Sequence, residues 1–364
     1  MKGVKTLKLI RVFAVILCVI MAGGILACQK VPSQSSPHPS KTEKKANQEE
    51  SPKKVTPEPK PPEQVYPLTG LPAKGPINQR VVGVMVNNYY LARPQSGLHK
   101  ADIVYEVLAE GRITRFLALF QSKQPEIIGP VRSARPYFIQ LDQGYGGLYV
   151  SHGWSPQAKS ILQGGGIDYI QGLYHDGTWF KRVTFRKAPH NSYIPYANIV
   201  KGAKASGYAM TQDIKPLPFL SQQDMTALKG DPIGKVTITY GVNNVVSYEY
   251  HSDTKLFFRH INGAQAKDRE TGTPLTAANV FIVSASHRFI DNYGRREIDL
   301  KSGGPAYLLQ HGFVQKVEWK SVDGRLLPYK NGKELGFVPG QTWINIVEAS
   351  PGLDKEVKLE EKGS

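Results

Sequence analysis

The chain has 364 residues, with 46 Lys plus Arg against 30 Asp plus Glu and a formal net charge of +16. That length is ample for a hydrophobic core and for two domains, and the basic balance favours anionic partners. The two cysteines are Cys18 and Cys28, so a body downstream of them has no disulfide, no cysteine nucleophile and no thiolate metal site.

Lys2, Lys5, Lys8 and Arg11 precede an apolar run from Val12 to Leu26, and Ala27-Cys28 follows. A membrane span needs about 20 apolar residues, whereas this run is shorter and is broken by Gly23-Gly24. The layout predicts an export signal over residues 1–27, removed from the mature chain. Ile25-Leu26-Ala27-Cys28 resembles the lipobox of bacterial lipoproteins. The resemblance implies acylation of Cys28, with membrane lipid as its partner and the outer face of the cytoplasmic membrane as its location. For an exported chain the anionic partners are lipid head groups and wall polymers, not nucleic acid.

Residues 28–64 predict a tether from the lipidated Cys28. Eight prolines stand there among Ser, Lys, Glu and Gln, with seven lysines against five glutamates. Too few apolar residues are present to offset the entropy of ordering. At about 3.1 Å per residue in a polyproline-like form, the segment reaches roughly 110 Å.

The folded body starts near Val65-Tyr66-Pro67, and residues 65–212 predict a mixed α/β domain. Val81–Val86 reads as a buried strand, and Ile103–Leu108 with Ile113–Phe120 reads as a hairpin around Glu110-Gly111. A short strand over Glu126–Val131 runs into a helix through Pro136, with Ser133 as its cap. Leu148–Val150 is a strand, and Ser155-Pro156 opens a second helix that Gly164-Gly165-Gly166 stops.

Residues 213–350 predict a mainly β domain, a sandwich or barrel-like roll. Alternating segments at Val236–Tyr240, Val246–Tyr250, Leu256–Arg259, Val280–Val283, Ala306–Leu309, Val314–Trp319 and Trp343–Val347 are punctuated by turn signals. These include Asn262-Gly263, Asp323-Gly324 and Asn331-Gly332. The segment 211–230 is the joint, and residues 351–364 are a charged tail. The fold class expected is α+β, an α/β domain followed by a β domain.

Arg132 and Arg135 are the first candidates for binding. They lie where a strand turns into a helix, at the positive end of the helix dipole. Acidic side chains are the usual occupants there, so two arginines point either to an anion site or to pairing with Glu106, Glu110 or Asp142. Glu106 and Glu110 stand four apart on an expected strand, roughly 13 Å, too far for a glycosidase acid/base pair of about 5–9.5 Å. Either could instead work with Asp142 in a glycan-active enzyme, or serve in a salt bridge, and Glu106 in its apolar segment is the one to be buried. His152 and Trp154 follow a strand, where ligands gather in open α/β sheets. His190 and Asn191 follow Pro189 and either orient a ligand or bond their own turn. No His-x-x-x-His pair, glycine-rich phosphate loop or nucleophile elbow is present, so no metal, cofactor or reaction type is assigned.

Tyr66–Gly70, Ala101–Glu106, Gly111–Phe116, Ile128–Pro136, Ala188–Asn191 and Pro339–Trp343 together resemble the YerB-like lipoproteins of Gram-positive bacteria. The likeness spans residues 65–350. It implies lipidation, two adjoining domains of unknown function and an envelope setting, and it supplies no catalytic residues. The function expected is a binding or adaptor module for a wall polymer, glycan or envelope protein. The alternative is a peptidoglycan hydrolase or lyase using Glu106 or Glu110 with Asp142.

Overall fold

The computed structural model describes residues 64–361, so the export signal, Cys28 and the tether lie outside the described residues. Three apolar strands open the fold: β1 (Val82–Asn87), β2 (Ile103–Leu108) and β3 (Thr114–Phe120). β2 and β3 form the expected hairpin, with Ile103 opposite Leu119 and Leu108 opposite Thr114. β3 then pairs antiparallel with β1. The strands are buried throughout because both faces of the sheet are covered. Val82, Val84, Val86, Val104 and Phe116 enter one core, while Met85, Ile103, Tyr105 and Leu117 enter the other.

Helix α1 (Pro136–Gln143), strand β4 (Leu148–Ser151), helix α2 (Pro156–Gln163) and strand β5 (Tyr169–Gln171) follow. β4 runs parallel to β1, and β5 parallel to β4, with α2 as the crossover. Ser155 caps α2 as its sequence predicts, its Oγ accepting from the Ala158 N–H at 3.2 Å. Ser133 does not cap α1. Arg135 holds the cap position without a side-chain bond, and the Ser133 hydroxyl donates instead to the His152 carbonyl.

The later strands are β6 (Lys235–Gly241), β7 (Asn244–His251), β8 (Leu256–Ile261), β9 (Asn279–Ala285), β10 (Gly304–Gln310), β11 (Phe313–Val322), β12 (Arg325–Lys330), β13 (Thr342–Glu348) and β14 (Val357–Glu360). The chain beyond residue 212 is mainly sheet, as expected. Asn262-Gly263, Asp323-Gly324 and Asn331-Gly332 all have positive φ at both residues, the conformation that two-residue hairpin turns require.

The two sequence regions share a sheet. β13 lies parallel between β9 and β2, with Ile103 opposite Thr342 and Glu106 opposite Asn345. Ten strands of a 12-stranded mixed sheet therefore run β12-β11-β10-β9-β13-β2-β3-β1-β4-β5, and the two-residue strands Lys333–Glu334 and Asp231–Pro232 pair with β12 and β11. The expected sandwich or roll divides: β9–β13 extend this sheet, and β6–β8 with β14 form a second one. The second sheet packs Val236, Ile238, Tyr240 and Tyr248 onto the face that carries Val82 and Phe116. α1 and α2 cover the opposite face. The charged tail is corrected as well: β14 pairs with β6, Val357 opposite Ile238, and Val357 is buried. Four residues with two apolar positions give too short an alternation to read from sequence.

Gly83 in β1 and Gly147 before β4 leave room for the Asp142 carboxyl. A methyl group at Gly83 would lie 1.9 Å from Asp142 Oδ1. Gly83→Ala is expected to lower stability by about 1–3 kcal/mol, read as a lower urea midpoint at unchanged slope.

A candidate anion-binding cleft

The parallel strands β1 and β4 end at Asn87 and Ser151, and the cleft lies beyond these carboxyl ends, where open α/β sheets place ligands. Arg132 is fixed there by its backbone. Its N–H donates to the Met85 carbonyl at 2.9 Å, and its carbonyl accepts from the His152 N–H at 3.0 Å. The neighbouring Val131 N–H donates to the Ser192 carbonyl at 2.6 Å. The loop is thus tied to β1, to the end of β4 and to the strand Ser192–Pro195.

Glu110 occupies the turn between β2 and β3, as the hairpin reading around Glu110-Gly111 has it, and not the strand assumed for its spacing from Glu106. One carboxylate oxygen accepts from Arg115 Nη2 at 2.6 Å, and the other from Arg135 Nε at 2.6 Å and from Arg135 Nη2. Burial works to raise the Glu110 pKa, but Arg115 and Arg135 outweigh it and hold the carboxyl below its usual value. Arg115 is buried, and burial with the nearby Arg135 pulls it down to about 10, which leaves it charged at neutral pH. Arg135, expected to hold a ligand, is instead a structural partner of Glu110.

Arg182 makes a second cationic node. It donates to Asp176 at 2.9 and 3.1 Å, to Asn191 Oδ1 at 3.0 Å and to His152 Nε2 at 3.0 Å. A guanidinium only donates, so His152 Nε2 accepts, and its Nδ1–H donates to Ser192 Oγ at 2.7 Å. Burial, then Arg182, lowers the His152 pKa. His152 is therefore neutral and serves to aim Arg182. His190 is oriented similarly. The Tyr89 N–H donates to Asn87 Oδ1, so the Asn87 amide nitrogen donates to His190 Nδ1 at 2.9 Å. His190 Nε2 then carries the proton, and the ring stacks on Tyr89 at 5.1 Å.

Among the described residues, no carboxylate lies within 4.0 Å of Arg132. Burial lowers its pKa; the Glu110 carboxylate works the other way from beyond contact distance, and Arg135 and Arg182 add repulsion. A cavity of about 270 Å³ opens at this arginine, lined also by Asn87, Tyr89, Glu110, Arg115 and His190. Arg115, Arg132, Arg135 and Arg182 meet two carboxylates, Glu110 and Asp176. The cluster carries an excess of two positive charges, and Arg132 is the member without a partner.

Residues 68–209 match the family model described as "Protein of unknown function (DUF3048) N-terminal domain", and residues 236–344 match its C-terminal counterpart. The chain belongs to the DUF3048 family. It is 51% identical over 292 residues to the Bacillus subtilis (strain 168) protein named "Putative lipoprotein YerB", covering 79% of this chain and 86% of that protein. Its fold is similar to the crystal structure of the YerB protein from Bacillus subtilis, with a TM-score of 0.77 and 48% identity. That match covers 82% of this chain and 100% of the solved one. The YerB-like resemblance carried by the sequence blocks thus holds across the folded body of this DUF3048 member.

Of the residues expected at the site, Arg132, His190 and Glu110 line one cavity, and His152 and Asn191 stand behind it holding Arg182. Trp154 packs edge-on against Tyr169 and Tyr174, at 6.2 and 5.7 Å, and does not line the cavity. Glu106 is wholly buried, accepting from Asn88 at 3.0 Å and Thr114 at 2.8 Å and lying 2.7 Å from Arg259. Asp142 is wholly buried behind β1, and burial raises its pKa to about 7. Neither carboxyl is reachable by a polymer chain, and Glu110 is spent on two arginines, so the geometry does not assemble the carboxyl pair of the hydrolase alternative. Among the described residues, no cluster of three or more His, Asp or Glu is placed to hold a metal ion. Sequence reasoning missed Arg115, Arg182, Tyr89 and Asn87. Arg115 did carry a signal, as a lone charge inside Thr114–Phe120, an otherwise apolar strand.

Proposed function

We propose that the chain is a lipid-anchored extracytoplasmic binding module that receives an anionic group of the cell envelope at Arg132. Acylated Cys28 would hold it on the outer face of the cytoplasmic membrane, and the proline-rich segment would carry the body toward the wall. The lipobox-like Ile25–Cys28 and the lipoprotein name of the 51% identical relative support the anchor. Among the described residues, no helix is long and apolar enough to cross a membrane. The observation that carries the binding reading is Arg132 itself. An arginine whose backbone is fixed and whose guanidinium has no carboxylate partner, at a cavity beside a cluster with two excess positive charges, is arranged to accept an anion.

The full chain is expected to co-sediment with purified wall sacculi in a salt-sensitive manner and to release no soluble muropeptides. A hydrogen bond to a charged group contributes about 1.5–3 kcal/mol, so Arg132→Ala should weaken binding at least about tenfold. Undiminished binding by this variant would sink the reading.

A further inference from the structure

We infer that the ligand of the Arg132 cleft is an amphiphilic phosphate, with its phosphate at Arg132 and its apolar portion in the groove beside it. The inference rests on the anion-binding reading and adds the chemistry of the rest of the ligand. A second cavity, of about 360 Å³, adjoins the first, and Tyr89 and Ile113 line both. Its volume alone falls within the roughly 300–1,000 Å³ of small-molecule sites.

The polar groups of this second cavity contributed by Asn88, Asn244 and Arg112 are already engaged, while the Asn243 side chain, among the described residues, is not. Asn88 donates to Glu106 and Thr114 and accepts from Arg93 and Gln95. Asn244 donates to Thr114 and accepts from Arg93. Arg112 is held by Glu348 and Glu356. What the groove mainly offers to an incoming molecule is apolar: Tyr90 is 54% exposed, Ile113 36% and Val242 94%. A glycan needs many directed donors and acceptors, and those of Asn88 and Asn244 are committed. A hydrocarbon or prenyl-like segment needs only surface to cover, at about 25 cal/mol per Å² of apolar area.

The charge of the ligand belongs at the other end. The excess of two positive charges around Arg132, together with the His190 Nε2–H lining the same cavity, matches a phosphate monoester of charge about −1.5 to −2. Arg132 is half-buried and lines a cavity of only about 270 Å³, a size that suits the head of a single molecule.

The test uses the full chain in phosphatidylcholine nanodiscs, titrated calorimetrically with n-hexyl phosphate and with glycerol 3-phosphate, against empty discs. The hexyl ester is expected to bind at least about tenfold more tightly. That preference should disappear in the double variant Ile113→Ser, Val242→Ser, whose changes lie at the surface, while Arg132→Ala should weaken both ligands. Equal affinities for the two esters in the wild type would overturn this inference and leave the anion-binding reading standing. Failure of both esters to bind would overturn the two together. Binding to phosphatidic acid vesicles without binding to soluble hexyl phosphate would also overturn it, by making the patch a membrane contact.

Discussion

Replacing Arg259 by methionine is expected to cost about 3–5 kcal/mol of stability, the range for stripping one partner from a buried ion pair. The Arg259 side chain is 2% exposed, and Glu106 is wholly buried. The pair joins β8 of the second sheet to β2 of the long sheet, so it sits between the two layers. The guanidinium lies 4.5 Å from the centre of the Trp343 ring and 5.4 Å from those of Phe116 and Tyr248. It also donates to the Tyr248 hydroxyl at 2.7 Å. Burial works against its charge, but the Glu106 carboxylate outweighs burial and holds the guanidinium above its usual pKa. Methionine keeps much of the volume and removes the cation, leaving Glu106 with only Asn88 and Thr114 as donors. Urea unfolding should show a lower midpoint at unchanged slope. The double variant Glu106→Gln, Arg259→Met should lose clearly less than the sum of its single changes, because both singles remove the same contact. Additive losses would mean that packing, not charge, sets the cost.

How far the sequence discloses this structure follows from how local each signal is. The β2–β3 hairpin, the Asn-Gly and Asp-Gly turns and the Ser155 cap are written within a few residues, and the structure contains them. The shared sheet is not written locally. β2 meets β13 in a parallel pairing between Ile103–Val107 and Thr342–Ile346, and parallel partners leave no turn signal between them. Two regions that read as separate domains are therefore one hydrogen-bonded surface. The site shows the same division. Arg132 and His190 were visible from their places beside proline-marked turns, but which arginine is free depends on where Glu110 falls. With Glu110 in the turn and not on the strand, it reaches both Arg115 and Arg135. This leaves Arg132 as the unpaired member; the turn at Glu110 is legible locally, but which arginines reach it is not.

The buried carboxyl on α1 gives the second large effect, and its sign is fixed by burial. Asp142 packs between Gly83 and Gly147. The Gln143 amide donates to its Oδ2 at 3.2 Å, while its Oδ1 and the nearby buried Tyr149 hydroxyl have no hydrogen-bond partner. Arg80 is the cation that acts on it, weakly, and burial dominates, raising its pKa from 3.8 to about 7. The folded state therefore keeps this proton at pH values where the unfolded chain has released it. Where the unfolded state binds fewer protons, stability falls as pH rises. The contribution is full below about pH 4, is lost progressively between about pH 4 and 7, and is constant above. A shift of about three units corresponds to roughly 4 kcal/mol. Asp102, pushed by burial to about 6, gives a slope of the same sign, so the readout is the difference between wild type and Asp142→Asn, in which Asp102 cancels. The asparagine variant should match the wild type near pH 4 and exceed it by several kcal/mol at pH 8, measured as urea midpoints across that range. Parallel curves for the two proteins would show that Asp142 is ionised in the folded state and that the core around it is wetter than its packing indicates.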